Sequence, residues 1–222
     1  MKTQIAIIGS ATRDRIVDGA GSRLKWGGVV VYAGLTFSRL GVVAGVLTNI
    51  ATRDRTLLDL LSGAGIAVEA GDSERTTEFV NHVGGDARRQ ELLACASPIS
   101  QSQVAAITAM AEDVYLGPLH PLDIEPQAVE VLRRGVRRVA VDIQGYTRQI
   151  VGHEVSSGVS EHLLGLLAQA DIVKASREES EAVESFCRQP LTAILRELDI
   201  AQRLTTDGTR AGWVLDESGA RH

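Results

Sequence analysis

Apolar and polar positions alternate in blocks along the chain, and the blocks predict its elements. The run Ile5-Ala6-Ile7-Ile8 stops at Gly9, which is how a buried strand reads. The polar segment from Thr12 to Lys25 has Gly19 and Gly21 in its middle, and its flanks, Arg15-Ile16-Val17 and Arg23-Leu24-Lys25-Trp26, can pair as a hairpin. From Gly27-Gly28 an apolar stretch runs to Leu40 and ends at Gly41, as a helix does. Val42 to Leu47 predicts a strand, Asp54 to Gly63 a short amphipathic helix, and Ile66-Ala67-Val68 a short strand. Two β-rich runs follow, Thr76 to Val83 and Arg88 to Leu93, joined at Gly84-Gly85-Asp86 as a second hairpin.

Alternation then resumes. Strands are predicted at Val114-Tyr115-Leu116, Arg138 to Ile143 and Ile172-Val173-Lys174, with helices over Glu125 to Arg134 and Glu161 to Gln169. Pro126 falls in the first turn of one of these, where its missing N–H costs nothing. Helices near Glu178 to Phe186 and Leu191 to Leu198 precede the last strands, Arg203-Leu204-Thr205 and Gly212-Trp213-Val214-Leu215, and a turn at Asp216 to Gly219. Alternating strands and helices imply an α/β fold with a mostly parallel sheet and right-handed crossovers. The two early polar hairpins do not fit that sheet and are expected to project as a small lid. The reading is one domain over 1–222 with lid hairpins at about 12–26 and 76–93. Because the chain stops at Arg221-His222, where another strand is due, an open strand edge and a partly covered sheet are expected.

Composition narrows the class. Of 222 residues, 44% are hydrophobic and only 4% aromatic, which suits buried parallel strands under helices better than an all-β sandwich. A net charge of −5 gives no footprint for nucleic acid. Cys95 and Cys187 are too few for a disulfide framework. The first apolar run is too short for a secretion signal, and no stretch approaches the ~20 apolar residues of a membrane helix. The cytoplasm is the expected location.

Several chemistries lack their motifs. The chain has no G-x-x-x-x-G-K-[ST] and no G-x-G-x-x-G, so a nucleotide-binding oxidoreductase rests on fold class alone. It has no G-x-S-x-G nucleophile elbow. Its histidines, at 82, 120, 153, 162 and 222, never pair at metal-ligand spacing.

Four segments do carry chemistry. Ile7-Ile8-Gly9 is followed by Asp14, an acceptor-only carboxylate suited to substrate hydroxyls or, more blandly, a solvated loop Asp between Arg13 and Arg15. Trp26-Gly27-Gly28 leads through Tyr32 into Arg39-Leu40-Gly41. Val141-Asp142-Ile143-Gln144-Gly145-Tyr146-Thr147-Arg148 is a strand ending in polar residues, with an Arg whose planar fork matches phosphate oxygens. Ser176-Arg177-Glu178-Glu179 reads both as a capping box and as a carboxylate presented at a helix start.

In this order the four segments resemble the ribokinase-like, or pfkB-type, carbohydrate kinases, from about Ile5 to the last residue. The resemblance implies a three-layer α/β/α fold with a β lid that closes over the substrate, and an ATP- and magnesium-dependent transfer to a hydroxyl of a sugar, cyclitol or nucleoside. It implies that Asp14, Gly27, Gly28 and Tyr32 bind substrate, with Phe79 and Asn81 (and Thr77) from the lid. Many members carry Asn where this chain has Tyr32, which blurs the substrate. By the same resemblance Arg148 and Asp142 face the phosphates, Thr206 and Gly208 of Thr206-Asp207-Gly208 lie near the nucleotide, and Glu179 holds magnesium through water. Ser176 stands where the family has Asn. Lid sheets of such kinases often pair, so the resemblance leaves both a homodimer through the lid and a single chain open, and no nucleic-acid or membrane partner is expected.

The family's second signature, Asp-Thr-x-Gly-Ala-Gly-Asp, supplies an anion hole at a helix N-terminus and the base that accepts the hydroxyl proton. Gly-Ala-Gly occurs here at 19–21 and 63–65, followed by Ser22 and Ile66, without the Asp. The 222 residues are therefore expected to show little or no turnover. The alternative is a non-catalytic relative that binds a polyol or a protein.

Overall fold

The computed structural model describes residues 2–84 and 89–216. Its centre is an eight-stranded sheet whose strands are β1 (Thr3–Ile8), β4 (Ala44–Ala51), β5 (Ala67–Ser73), β8 (Ala111–Leu116), β9 (Arg138–Asp142), β12 (Ile172–Ser176), β13 (Gln202–Asp207) and β14 (Arg210–Leu215). They lie in the order β14-β13-β12-β9-β8-β1-β4-β5, all parallel except the β13–β14 pair. Every residue of β4 is buried, as expected of a parallel strand covered on both faces.

Period-2 alternation splits the core in two. Ile7 and Val46 point into one cluster with Val30 and Val31 of α1 (Val29–Arg39) and Leu57 and Leu61 of α2 (Thr56–Gly63). Ala6, Ile8 and Leu47 point into the other. There the sheet meets α3 (Gln101–Thr108), α4 (Pro126–Val129), α5 (Leu163–Leu167), α6 (Arg177–Cys187) and α7 (Leu191–Glu197). Among the described residues, no helix covers the α1 side of β9, β12 and β13, where Ala140, Ile172 and Lys174 remain half-buried. The sheet is thus partly covered, as the sequence pattern implied.

The lid is a second sheet of six strands in the order β10-β11-β7-β6-β2-β3. Its first hairpin is β2 (Thr12–Asp18) with β3 (Gly21–Gly27), in the register Arg15 to Leu24. The second is β6 (Thr77–His82) with β7 (Arg89–Ala94), whose turn at Gly85-Asp86 lies outside the described residues. A third hairpin, β10 (Arg148–Val151) with β11 (Glu154–Ser157), extends the lid beyond the two read from the sequence.

Other departures are local. Helix α3 was not anticipated, although Ser100 and Gln103 form a complete capping box at its start. The helix expected over Glu125 to Arg134 stops at Val129. Beyond it the N–H groups of Leu132 and Arg134 bond three residues back, to Val129 and Val131, a tighter winding that still buries Val131 and Leu132. The predicted turn at Asp216 to Gly219 lies almost entirely outside the described residues. No helix among those described is long and apolar enough to cross a membrane.

Candidate active site

Connections from β1 run to β4 and β5 on one side and to β8 and β9 on the other, so the strand order reverses between β1 and β8. In open parallel sheets, ligands bind outside the carboxyl ends of the strands at that reversal. Glycines let the chain close in there: a Cβ on Gly117 would strike Val29, and one on Gly145 would meet the Pro118 carbonyl at 2.7 Å.

A cleft of about 390 Å³ opens at this point, under the lid. Asp14, Gly28, Tyr32, Phe79, Asn81, Asp142 and Arg148, all singled out from the sequence, line it. Gly27 lies against the Asp14 carboxylate, where any side chain would collide with Asp14 Oδ2 and with the Thr12 hydroxyl. Gly28 caps α1 at φ +91°, a region glycine enters freely, and its α-carbon faces the Ser10 carbonyl so closely that no Cβ fits. Asn81 accepts a hydrogen bond from the Gln90 amide across the strands (2.7 Å). The Thr12 hydroxyl is buried in the wall with no hydrogen-bond partner among the described residues, so a ligand hydroxyl could satisfy it.

A second cleft of about 550 Å³ adjoins the first and is lined by Arg148, Glu179, Thr206 and Gly208. Four residues, Gln90, Gln144, Arg148 and Lys174, line both clefts. Arg148 lies at the join: it donates to the Leu119 carbonyl (2.9 Å) and its guanidinium sits 5.7 Å from the Phe79 ring centre. Asp142 is turned to the acceptor side, where it pairs with Lys174 (2.8 Å) and accepts from the Tyr115 hydroxyl (3.3 Å). Burial, then the Asp142 charge, raise Tyr115 far above its ordinary value, so it stays a donor.

Glu179 forms the capping box that its sequence spacing suggests. Its carboxylate accepts the Ser176 N–H (2.6 Å), while its own N–H donates to Ser176 Oγ (3.1 Å), closing a capping box on α6. Burial and then the Asp142 charge raise its affinity for a proton, despite Lys174 and the Ser176 bond. Two neighbouring carboxylates with one lysine between them, Lys174 paired to Asp142, fit a magnesium ion held mainly by phosphate oxygens and water. Among the described residues, no group of three His, Cys, Asp or Glu could cage a metal by itself.

Lys174, Gln144, Gln90 and Thr12 were not assigned roles by sequence reasoning. Lys174 carried the clearest signal, a lone cation in an otherwise apolar strand, Ile172 to Ala175.

No known family profile and no curated protein matches the sequence. Solved structures do. A sulfate complex of a pyrophosphate-dependent kinase of the ribokinase family is 27% identical, with a TM-score of 0.86 over 99% of this chain and 78% of that one. Another, of a pyrophosphate-dependent kinase with a pyrophosphate analog and myo-inositol, is 26% identical with a TM-score of 0.83, again over 99% and 78%. A fructokinase with bound ATP from Xylella fastidiosa shares the fold at 15% identity and a TM-score of 0.77, over 100% and 77%. A parallel sheet, a β lid and a cleft at the strand reversal define the ribokinase-like α/β fold. The chain has that fold, is similar to the pyrophosphate-dependent kinases of the ribokinase family, and spans 78% of the length of the first two.

Proposed function

We propose that this chain holds a polyhydroxylated small molecule beside a magnesium-bound polyphosphate, for transfer of the terminal phosphoryl group to one hydroxyl. The shared wall carries this reading: an acceptor at Asp14 and a phosphate near Glu179 would meet across Gln144, Arg148 and Lys174. Asp14 and Thr12 accept hydrogen bonds from the acceptor, Arg148 and Lys174 offset charge on the phosphates, and Glu179 with Asp142 holds magnesium, which would offset further charge when bound. In the transfer an acceptor oxygen bonds to the terminal phosphorus as the bridging P–O bond breaks, its electron pair leaving with the departing phosphate. The hydroxyl proton passes to a base, a role to which none of these 222 residues is assigned, since the sequence contains no Gly-Ala-Gly-Asp.

Among sugar, cyclitol and nucleoside, a cyclitol is favoured by the similar kinase solved with myo-inositol. Two aromatic rings of the acceptor cleft, Phe79 and Tyr32, already face cations, Arg148 and Lys25, so neither is free to stack on a base. ATP is the donor that the motifs imply. Inorganic pyrophosphate is a second reading, favoured by the two pyrophosphate-dependent relatives and by the donor cleft, where Val155 is the only apolar side chain among the described residues. Two copies are proposed to pair through the lid, and the protein to act in the cytoplasm.

Calorimetric titration with cyclitols, sugars and nucleosides, and with ATP or pyrophosphate plus magnesium, tests the reading. At least one acceptor is expected to bind, about tenfold more weakly in Asp14→Asn, which loses a charged acceptor. No binding across the panel would sink the proposal. Phosphate or ADP release in the same mixtures reads turnover, and binding without any release favours the non-catalytic alternative.

A further inference from the structure

Behind the acceptor cleft lies a buried histidine–aspartate pair that the reaction above does not use. His120 and Asp123 follow β8 in a loop and are 1% and 5% exposed. Burying a carboxylate so deeply is costly unless it is well bonded. Asp123 is: Oδ2 accepts the Leu119 N–H (2.6 Å), Oδ1 accepts the Ser10 hydroxyl, and His120 Nε2 lies 3.1 Å from Oδ1. Burial opposes its charge, but His120, Ser10 and the Leu119 N–H outweigh burial and hold its carboxyl below the usual range. The Leu122 N–H donates to Nδ1 (3.2 Å), which leaves the ring proton on Nε2; that nitrogen is close to Oδ1 but not aligned for a hydrogen bond, so the Ser10 hydroxyl and the Leu119 N–H are the bonds that fix Asp123.

The partners of this pair are the places where the chain crosses between sheet and lid. Ser10 separates β1 from β2. Its hydroxyl lies 3.3 Å from that of Thr77, which begins β6. Thr77 in turn accepts the N–H of Ala96, just past the end of β7. The fourth crossing, from β3 into α1, is Gly28, packed on the Ser10 carbonyl. On its other side, Asp123 fixes Leu119, whose carbonyl holds the Arg148 guanidinium at the junction of the two clefts.

We propose that the Asp123–His120 pair is a positioning node that sets the lid on the sheet through Ser10 and Thr77, and sets Arg148 through Leu119. Neither residue touches substrate. The link to catalysis rests on the function proposed above, whereas the link to the lid does not.

Hydrogen–deuterium exchange, which needs no ligand, tests the lid half. Asp123→Asn is expected to speed amide exchange in 12–18, 77–82 and 89–94 about tenfold, against less than about twofold in 3–8 and 111–116. Equal acceleration in both sheets, or none, would overturn the node. Ser10→Ala, which leaves Asp123, His120 and Leu119 in place, keeps the test open if Asp123→Asn does not fold. It is expected to give the same lid-selective change at about threefold, and no lid change would again refute the proposal. Pyrophosphate with magnesium is then titrated into each protein. Affinity is expected to fall about tenfold in Asp123→Asn but less than about twofold in Ser10→Ala, because only the first loosens Leu119 and Arg148. Equal affinities in all three proteins overturn the Arg148 half. If the unaltered chain binds no pyrophosphate and no ATP, the functional reading fails and exchange alone decides the node.

Discussion

Glu179 serves two demands with one carboxylate. As the N3 residue of α6 it satisfies the Ser176 N–H, and as a half-buried anion near Asp142 it is the residue proposed above to hold magnesium. The folded chain holds its proton more tightly than the unfolded chain, whose ordinary value is 4.5. The stability contributed by the protonated form is therefore complete below about pH 4.5 and lost as pH rises through the raised folded value. Glu179→Gln keeps the capping bond without the charge. Its melting temperature is expected to exceed that of the unaltered chain by about 2–4 °C at pH 7, the shift that ~1 kcal/mol makes in a chain of this size. The two should coincide near pH 4, and a lower melting temperature at pH 7 would contradict the account. The motif Ser-x-x-Glu was legible in the sequence, but the proximity of Asp142 was not, because it depends on β9 and β12 pairing side by side.

At the scale of elements, strand register is pinned by charge as well as by apolar pattern. Asp113 of β8 accepts from Arg137 (2.8 Å) and from Arg138 (2.7 Å), its partner in register on β9. The Arg137 hydrogen bond, against some burial and with help from Arg138, lowers its pKa to about 2. This contribution is fully present above the ordinary value of 3.8 and disappears as pH falls through about 2. Asp113→Asn should lower the urea midpoint at pH 7 by less than about 1 kcal/mol equivalent, with the difference shrinking in high salt and vanishing near pH 2. Urea melts at the two pH values check this, and a difference that persists near pH 2 would assign the effect to something other than charge. Hairpins with strong turn chemistry, such as Asp18 to Gly21, could be read locally. The β10–β11 hairpin escaped notice because four-residue strands carry too little periodicity to be seen alone.

Across the whole molecule, the two sheets divide the labour. The large sheet supplies rigid strand ends, while the lid supplies Asp14, Phe79 and Asn81 from strands that cross to it at Ser10, Gly28, Thr77 and Ala96, and Arg148 from β10, which follows β9. The lid ends in two edge strands, β3 and β10, with Leu24 57% and Val151 63% exposed. Pairing of two lids through β3 would bury Leu24 and complete an open edge. Sedimentation is then expected to give twice the 23.7 kDa chain mass, and Leu24→Arg to return the single-chain mass. A single-chain mass for the unaltered protein would remove lid pairing from the proposed function.

Local chemistry was enough for the sequence to determine most strands, most helices, two lid hairpins and the separate polar motifs at strand ends. Apolar period, glycine stops and capping residues act over a few positions and need no partner. Tertiary structure alone decided that Asp14, Asp142 and Arg148, scattered over 135 positions of sequence, share one wall. It also decided that Lys174 and Thr12 join them, and that Asp123 lies beneath the lid crossings. Such meetings depend on strand order and crossover, which put residues of distant segments at the same sheet end, and no local pattern encodes that order.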